Sequence, residues 1–120
     1  MEKISKQNLR QLTQYTADFI KSKTGKGPRE IKCHCHDNKI YIEMNKVLTP
    51  IELEIAITLE GITNVKQARQ RFYEKYAHDY HITAGQIIGC QIIHGCSLWD
   101  IANDEAYIIL TINPAEFYLG

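Results

Sequence analysis

Residues 25–44 read GKGPREIKCHCHDNKIYIEM and contain the clearest strand pattern in the chain. Apolar and polar residues alternate from Ile31 to His36, and the alternation returns from Ile40 to Met44. Asp37-Asn38 lies between these two runs, and both residue types tolerate the positive φ that a two-residue hairpin loop requires. The stretch therefore predicts a β-hairpin that follows a loop punctuated by glycine and proline.

A two-residue loop at Asp37-Asn38 also predicts the register of the hairpin. The expected pairs are Cys35 with Ile40, Cys33 with Ile42, Ile31 with Met44, Lys32 with Glu43, and His34 with Tyr41. A slip of one residue would set an apolar row against a polar row, so the alternation resists it. The thiols are thus expected on the apolar face, and His34 and Tyr41 on the opposite face.

A helix is predicted before the hairpin, over residues 3–23. Its apolar stripe consists of Leu9, Leu12, Thr16, Phe19 and Ile20. Gly25 is expected to end this helix, because glycine adopts the left-handed conformation at a helix C-terminus. Pro28 then prevents the helix from resuming.

A second helix is predicted to start at Pro50, with Thr49 as its N-cap and Glu52 placed to complete a capping box. The following residues, up to Leu59, are mostly apolar, so we expect a short helix that is buried on more than one side. Gly61 is expected to break it.

The remainder of the chain predicts one long helix and two strands. Asn64 is expected to cap a helix from about Val65 to Ile88. A strand is then predicted from Cys90 to Cys96. A polar connection at Asp100–Glu105 leads to the last strand, Ala106–Ile112.

The resulting order, α-ββ-αα-ββ, predicts one α+β domain over residues 1–120. Its two hairpins would form a four-stranded, largely antiparallel sheet with helices packed on one face. The other face needs solvent or a partner, and His34, Tyr41 and Tyr107 are candidates to line it. We therefore expect a homodimer.

Composition narrows the class of protein. No apolar run approaches the roughly 18 residues that span a bilayer, and the polar N-terminus shows no signal peptide, so we expect a cytoplasmic protein with reduced thiols.

The charges are unevenly distributed along the chain. Residues 1–32 carry eight Lys/Arg and three Asp/Glu although the net charge is zero. This basic segment could be a solvated face, pack on an acidic surface of the protein or a second subunit, or contact an anionic partner. A sequence pI of about 6.9 argues against nucleic acid.

The cysteines and a histidine could bind a metal. Cys33 and Cys35 share one strand face, and Cys90, His94 and Cys96 share a face of another predicted strand. If those strands were neighbours, these ligands could converge on tetrahedral zinc or iron. However, a C-x-C pair lacks the usual knuckle spacing, and free cysteine is common in cores. Core packing, a Zn or Fe site and redox thiol chemistry all stay open.

The loop before the hairpin offers a candidate anion contact at Lys26 and Arg29. Gly25-Lys26-Gly27 lacks the spacing of a phosphate-binding loop and precedes a strand, so loop geometry alone also explains its glycines. We find no nucleophile elbow, no H-E-x-x-H motif and no paired carboxylates at strand ends. An enzyme is therefore not expected, and neither is a cofactor.

Four motifs resemble the MpsC-like family of small bacterial domains. They are Gly25-Lys26-Gly27-Pro28 followed by Ile31, Leu48-Thr49-Pro50 with Glu52, Arg69 with Phe72, and Gly89-Cys90 before a strand. The likeness extends from the first helix to about Asn113. The family takes its name from a gene cluster linked to sodium translocation and membrane potential, and it brings no established catalytic residues. The Cys-His-Cys-His run is not one of its hallmarks.

Two functions follow from the residues and the resemblance together. The first is a non-enzymatic cytoplasmic binding or regulatory module, homodimeric, that assists a membrane ion-translocation or signalling system. It would contact a protein partner, with peripheral membrane association as a further expectation, through Lys26, Arg29, His34 and Tyr41. The alternative is a thiol- or metal-based sensor with Zn or Fe that uses Cys33, Cys35, Cys90, His94 and Cys96.

Overall fold

The computed structural model describes residues 4–113. Its elements are α1 (Lys6–Thr24), β1 (Glu30–His36), β2 (Lys39–Asn45), α2 (Pro50–Ile55), α3 (Leu59–Ile88), β3 (Ile92–Asp100) and β4 (Glu105–Ile112). The four strands form one sheet in the order β1-β2-β4-β3, and every neighbouring pair is antiparallel. This confirms the α+β class and the α-ββ-αα-ββ order. Residue 3, where the first helix was predicted to begin, lies outside the described residues.

The first hairpin has the predicted register. All five expected pairs form, from Ile31 opposite Met44 to Cys35 opposite Ile40. Asp37 adopts a φ of 54°, as a tight two-residue turn requires. The alternation of the two strands therefore determined which side chains point toward the helices.

The helices cover one face of the sheet. Helix α1 packs on β1, α3 packs on β3, and the two helices pack against each other. Leu12, Thr16, Phe19 and Ile20 of α1 are buried, which confirms most of the predicted stripe. The strand residues beneath the helices are aliphatic and fully buried, among them Ile40, Ile42, Ile108, Leu110 and Ile112.

Gly61 does not break a helix, so the predicted break is wrong. Helix α2 ends at Ile55, and α3 begins at Leu59 with Thr58 as its N-cap; the Thr58 side chain accepts a hydrogen bond from the Gly61 amide at 3.0 Å. A Cβ on Gly61 would lie only 1.6 Å from the Ile55 carbonyl oxygen. Gly61 thus permits the close approach of α2 and α3, and Asn64 lies inside α3 instead of capping it.

Burial of α2 on more than one side is also wrong. No residue of α2 is buried, and the aliphatic side chains around it are exposed. The apolar residues there occupy every second position from 51 to 59, whereas a helix repeats every 3.6 residues. A helix with this spacing therefore cannot turn all of them toward the core.

The start of α2 is fixed to α3 by Arg69, which is only 2% exposed. Its Nε donates to Glu52 Oε2 at 2.7 Å, and its Nη2 donates to the Val47 carbonyl at 3.0 Å. The guanidinium also lies 5.3 Å from the centre of the Trp99 ring. Glu52 completes the predicted capping box with Thr49, so one carboxylate serves both the cap and the ion pair.

Strand β3 begins later and ends later than predicted. Gly89, with a φ of 78°, caps α3, and Cys90 lies between this cap and the strand. A register irregularity between Ile92 and His94 precedes a regular run to Asp100. In that run Ser97 and Trp99 are buried, so their neighbour Leu98 points to the side away from the helices.

Candidate interaction surface

The side of the sheet without helices is the helix-free face. The alternation places two central rows of side chains on it: His34, Tyr41, Ile109 and Cys96 in one row, and Lys32, Glu43, Tyr107 and Leu98 in the next. Each row crosses all four strands, because its members are successive pairing partners in the ladders. This face is therefore a continuous surface that the described helices leave uncovered.

His34 and Tyr41 lie together on the helix-free face, as the sequence predicted. Their rings stack with centroids 5.2 Å apart and an angle of 19° between the ring planes. Tyr41 lies opposite Ile109 on its other side, so the apolar surface continues into β4. Such cross-strand aromatic pairs stabilise a sheet and also present a flat apolar surface.

A shallow groove of about 270 Å³, the central groove, crosses this face. The side chains that line it on this face are His34, Tyr41, Glu43, Leu98, Tyr107 and Ile109. Leu98 is 53% exposed at its edge. Aromatic and aliphatic groups at the centre with charged groups around them are the arrangement typical of the core and rim of a protein interface.

Tyr107 brings its hydroxyl to the acidic side of the central groove. This hydroxyl donates a hydrogen bond to Glu105 Oε2 at 2.8 Å. That bond and the nearby carboxylate raise the pKa of Tyr107, so its phenol remains protonated at neutral pH. Because its one proton is directed at Glu105, the phenol oxygen remains free to accept a hydrogen bond at the rim.

The two ends of the helix-free face differ in charge. The end near the β3–β4 turn carries three carboxylates, those of Glu30, Asp100 and Glu105. The end near the Asp37-Asn38 turn carries His36, Lys39 and His94. Lys39 Nζ donates to Thr111 Oγ1 at 2.9 Å, and His36 Nε2 lies 3.5 Å from a carboxylate oxygen of Asp37. The face thus has an acidic end and a lysine- and histidine-bearing end on either side of its apolar centre.

Lys26 and Arg29 do not line the central groove. The Lys26 ammonium donates to the Lys46 carbonyl oxygen and so closes the loop before β1. The Arg29 amide donates to the Asn45 carbonyl at 3.0 Å, and the residue is exposed. The structure therefore separates these two residues from His34 and Tyr41, and their contact with an anionic partner stays a prediction.

Cys96 does not lie with Cys33 and Cys35. Strands β1 and β3 form opposite edges of the sheet, with β2 and β4 between them. Cys33 and Cys35 lie on the helix-covered side, whereas Cys96 pairs with Ile109 on the helix-free face. Within residues 4–113, no group of three or more His, Cys, Asp or Glu side chains is arranged to hold a metal ion. The condition set for a shared metal site, that these two strands be neighbours, is therefore not met.

Burial also affects the thiols of β1. It raises the pKa of Cys33 to about 11, and it raises the pKa of Cys35 as well, with a smaller contribution from Cys90. Both groups therefore remain thiols at neutral pH. Because the thiolate is the nucleophile and the metal-binding form, these two cysteines are poorly suited to redox sensing.

A second cleft, of about 650 Å³, lies between the end of α3 and the start of β3. His78 and His81 contribute to its lining. His81 Nε2 and the Tyr73 hydroxyl share a hydrogen bond of 2.7 Å beneath Gly95, where an added Cβ would lie 2.3 Å from that nitrogen. Burial, with smaller contributions from the nearby histidines, lowers the pKa of His81. Tyr73 and His81, both on α3, thus pack together against Gly95 of β3.

Sequence reasoning missed Leu98 and Ile109 as members of the helix-free face. The signal was present, because the alternation of β3 continues past Cys96 through a buried Ser97, an exposed Leu98 and a buried Trp99. However, which side chains of β3 and β4 join His34 and Tyr41 on one face depends on the order of the strands in the sheet. The alternation within a single strand does not determine that order.

Comparison with known proteins gives one finding on the family. A sequence model of the family described as "Na+-translocating membrane potential-generating system (MpsC)" matches residues 5–113. No curated protein and no solved structure matches the chain. Among the described residues, every helix is too short or too polar to cross a membrane.

Proposed function

This chain belongs to the MpsC family, and on that premise we propose that it is a non-enzymatic cytoplasmic binding module, accessory to a membrane-potential system, that works as a homodimer. One observation carries the proposal: the helix-free face has an apolar, aromatic centre between ends of different charge. In an antiparallel stack of two copies, the apolar centres would meet and ends of different charge would face each other. This supports the helix-free face as the dimer contact.

Face-to-face packing of two sheets is a common way to cover an exposed sheet surface. The sheets lie about 10 Å apart, and the inner side chains interdigitate. In this dimer the His34–Tyr41 stack, Ile109 and Leu98 of each copy would lie against the same groups of the other. Burying these groups removes apolar area from water, which contributes roughly 25 cal/mol per Å².

Charge selects the orientation of the two sheets. A twofold axis across the strands makes the two sheets antiparallel and brings the Lys39 end of one copy over the Glu105 end of its partner. A twofold axis along the strands would instead set the acidic ends against each other, and like charges disfavour that arrangement. The antiparallel stack is thus the dimer that we propose.

The dimer leaves the helical side of each copy for other partners. Lys6, Arg10, Lys21 and Lys23 are exposed along α1. This basic surface is suited to a protein partner with an acidic surface, and the family's link to a membrane system also makes an anionic membrane surface relevant. The thiol and metal sensor has no comparable support, because the sheet separates Cys96 from Cys33 and Cys35.

Analytical ultracentrifugation of a matched pair of variants tests the dimer. Leu98→Asp places a charge on the helix-free face, at a side chain that is 53% exposed. Ile82→Asp places the same charge on α3, at a side chain that is 49% exposed. We expect the unmodified protein and Ile82→Asp to sediment as dimers and Leu98→Asp as a monomer. Equal masses for all three proteins would reject the helix-free face as the contact.

A further inference from the structure

Five exposed aliphatic side chains lie between the start of α2 and the first residue of α3. They are Ile51 at 71% exposure, Leu53 at 48%, Ile55 at 46%, Ile57 at 79% and Leu59 at 84%. We call this surface the apolar elbow. Only three other large hydrophobic residues in the described part of the chain are as exposed, and they lie on α3 and β3. A concentration of this kind marks an interaction surface more often than scattered apolar residues do.

The apolar elbow is held in position by specific contacts. Thr49 and Glu52 form a capping box at the start of α2, and Arg69 binds Glu52 from α3. At the other end, Thr58 caps α3, and Gly61 lets its backbone approach the Ile55 carbonyl. These contacts fix the backbone at both ends, so the aliphatic side chains are presented outward by the fold itself.

The charged residues within the apolar elbow, and up to the second turn of α3, are all glutamates. Residues 50–65 contain three glutamates and no lysine or arginine. Glu52 is paired with Arg69, whereas Glu54 and Glu60 are exposed beside the aliphatic side chains. A ligand of this surface must therefore supply an apolar face and positive charge together.

The acidic rim distinguishes between occupants. A second copy bound through the same surface would set Glu54 and Glu60 against identical carboxylates, and an anionic bilayer would repel them. We propose that the apolar elbow docks a basic amphipathic helix of another protein. Large aliphatic residues on the apolar face of that helix would cover Ile57 and Leu59. Lysines or arginines beside that face would pair with Glu54 and Glu60. This site uses different elements from the proposed dimer contact and goes beyond it.

Binding of a model peptide tests this site. The probe is a fluorescent peptide of leucine and lysine in amphipathic helical order, measured by anisotropy against the full chain. We expect Ile57→Ser/Leu59→Ser to weaken binding by about tenfold or more, as loss of two central apolar contacts does. Glu54→Gln/Glu60→Gln should weaken it several-fold and reduce its salt dependence. Ile82→Ser, a comparably exposed residue elsewhere, should bind like the unmodified protein.

Two further measurements can overturn the proposal. A peptide in which glutamate replaces every lysine should bind at least about tenfold more weakly, because its charge matches that of the rim. Equal binding of the two peptides, or unchanged binding by the Ile57→Ser/Leu59→Ser protein, would contradict a basic helix as the ligand. The Ile57→Ser/Leu59→Ser protein should lose peptide binding and still have the mass of a dimer, since the two surfaces are separate. Stronger binding to anionic vesicles than to the peptide would assign the surface to lipid instead.

Discussion

Arg69 shows how a single buried residue connects three parts of the fold. Its guanidinium binds the Glu52 carboxylate and the Val47 carbonyl, and it lies against Trp99. Glu52 is partly buried, which by itself raises the pKa of its carboxyl. The hydrogen bonds from Arg69 and Thr49 outweigh that effect and lower the pKa. Arg69 therefore stabilises the charged form of Glu52 in this partly buried position.

Replacement of Arg69 by Ala should strongly destabilise the protein. It would leave the Glu52 carboxylate and the Val47 carbonyl without their partner, and loss of one member of a buried ion pair typically costs about 3–5 kcal/mol. Urea unfolding measures the effect. Arg71→Ala, an exposed arginine on the same helix, is the control and should change the free energy of unfolding by less than about 0.5 kcal/mol. Similar curves for the two variants would contradict this role of Arg69.

His81 should make stability depend on mildly acidic pH. Because burial lowers its pKa in the folded state, the unfolded chain binds more protons as the pH falls below the ordinary value of about 6.5. The free energy of unfolding should therefore be highest above this pH and decrease from about pH 6.5 down to the lowered folded-state pKa. The contribution of Glu52 belongs to a separate, lower pH range. Because its pKa is lowered in the folded state, the stability that its carboxylate contributes is lost only as the pH falls below the ordinary carboxyl range.

Unfolding curves between neutral pH and about pH 5 check this expectation. His81→Gln should show a smaller loss of stability on acidification than the unmodified protein. His36→Gln, at a side chain that is 77% exposed, should retain the full loss. An unchanged pH dependence in His81→Gln would show that other groups cause it.

Among the elements, the first hairpin could be predicted because its information is local. The alternation fixes which residues share a face, and Asp37-Asn38 fixes the register. The junction of α2 and α3 could not be predicted in the same way. Glycine usually ends a helix, but here Gly61 is required by contact with the Ile55 carbonyl, which is a feature of the packed structure.

Gly61→Ala should therefore destabilise the protein although alanine is the better helix former by about 1 kcal/mol. Its Cβ would overlap the Ile55 carbonyl, and displacement of packed backbone typically costs about 1–3 kcal/mol or more. Gly27→Ala is the control, because its nearest contacts to an added Cβ are an ordinary 3.5 Å. Thermal unfolding should show a lower midpoint for Gly61→Ala alone, and an unchanged or higher midpoint would contradict the close approach.

For the molecule as a whole, sequence predicted the layers and part of the candidate surface. His34 and Tyr41 were placed on one face because hairpin register is local, and the structure brings them together. Cys96 does not meet Cys33 and Cys35, because a shared site required β1 and β3 to be neighbouring strands. The order of the strands depends on how the two hairpins pair, which the sequence pattern of each hairpin does not specify. Leu98 and Ile109 entered the surface through that same long-range pairing of β3, β4 and β2.

The proposed dimer has a consequence for charge. If the two sheets stack antiparallel, Lys39 of one copy lies over the end of its partner that contains Glu105. Reversing either charge alone should weaken the dimer, because two groups of like charge would then meet across the contact. Reversing both should restore attraction and return the dimer toward its original strength.

Sedimentation equilibrium of this charge exchange is the most direct test of the helix-free face as a dimer contact. It compares the unmodified protein, Lys39→Glu, Glu105→Lys and the double variant. The control is Lys66→Glu, at an exposed residue of α3. We expect a weaker dimer for each single variant of the face, recovery in the double variant and no change in the control. A monomer for the unmodified protein, or a double variant as weak as the two single variants combined, would contradict the antiparallel dimer.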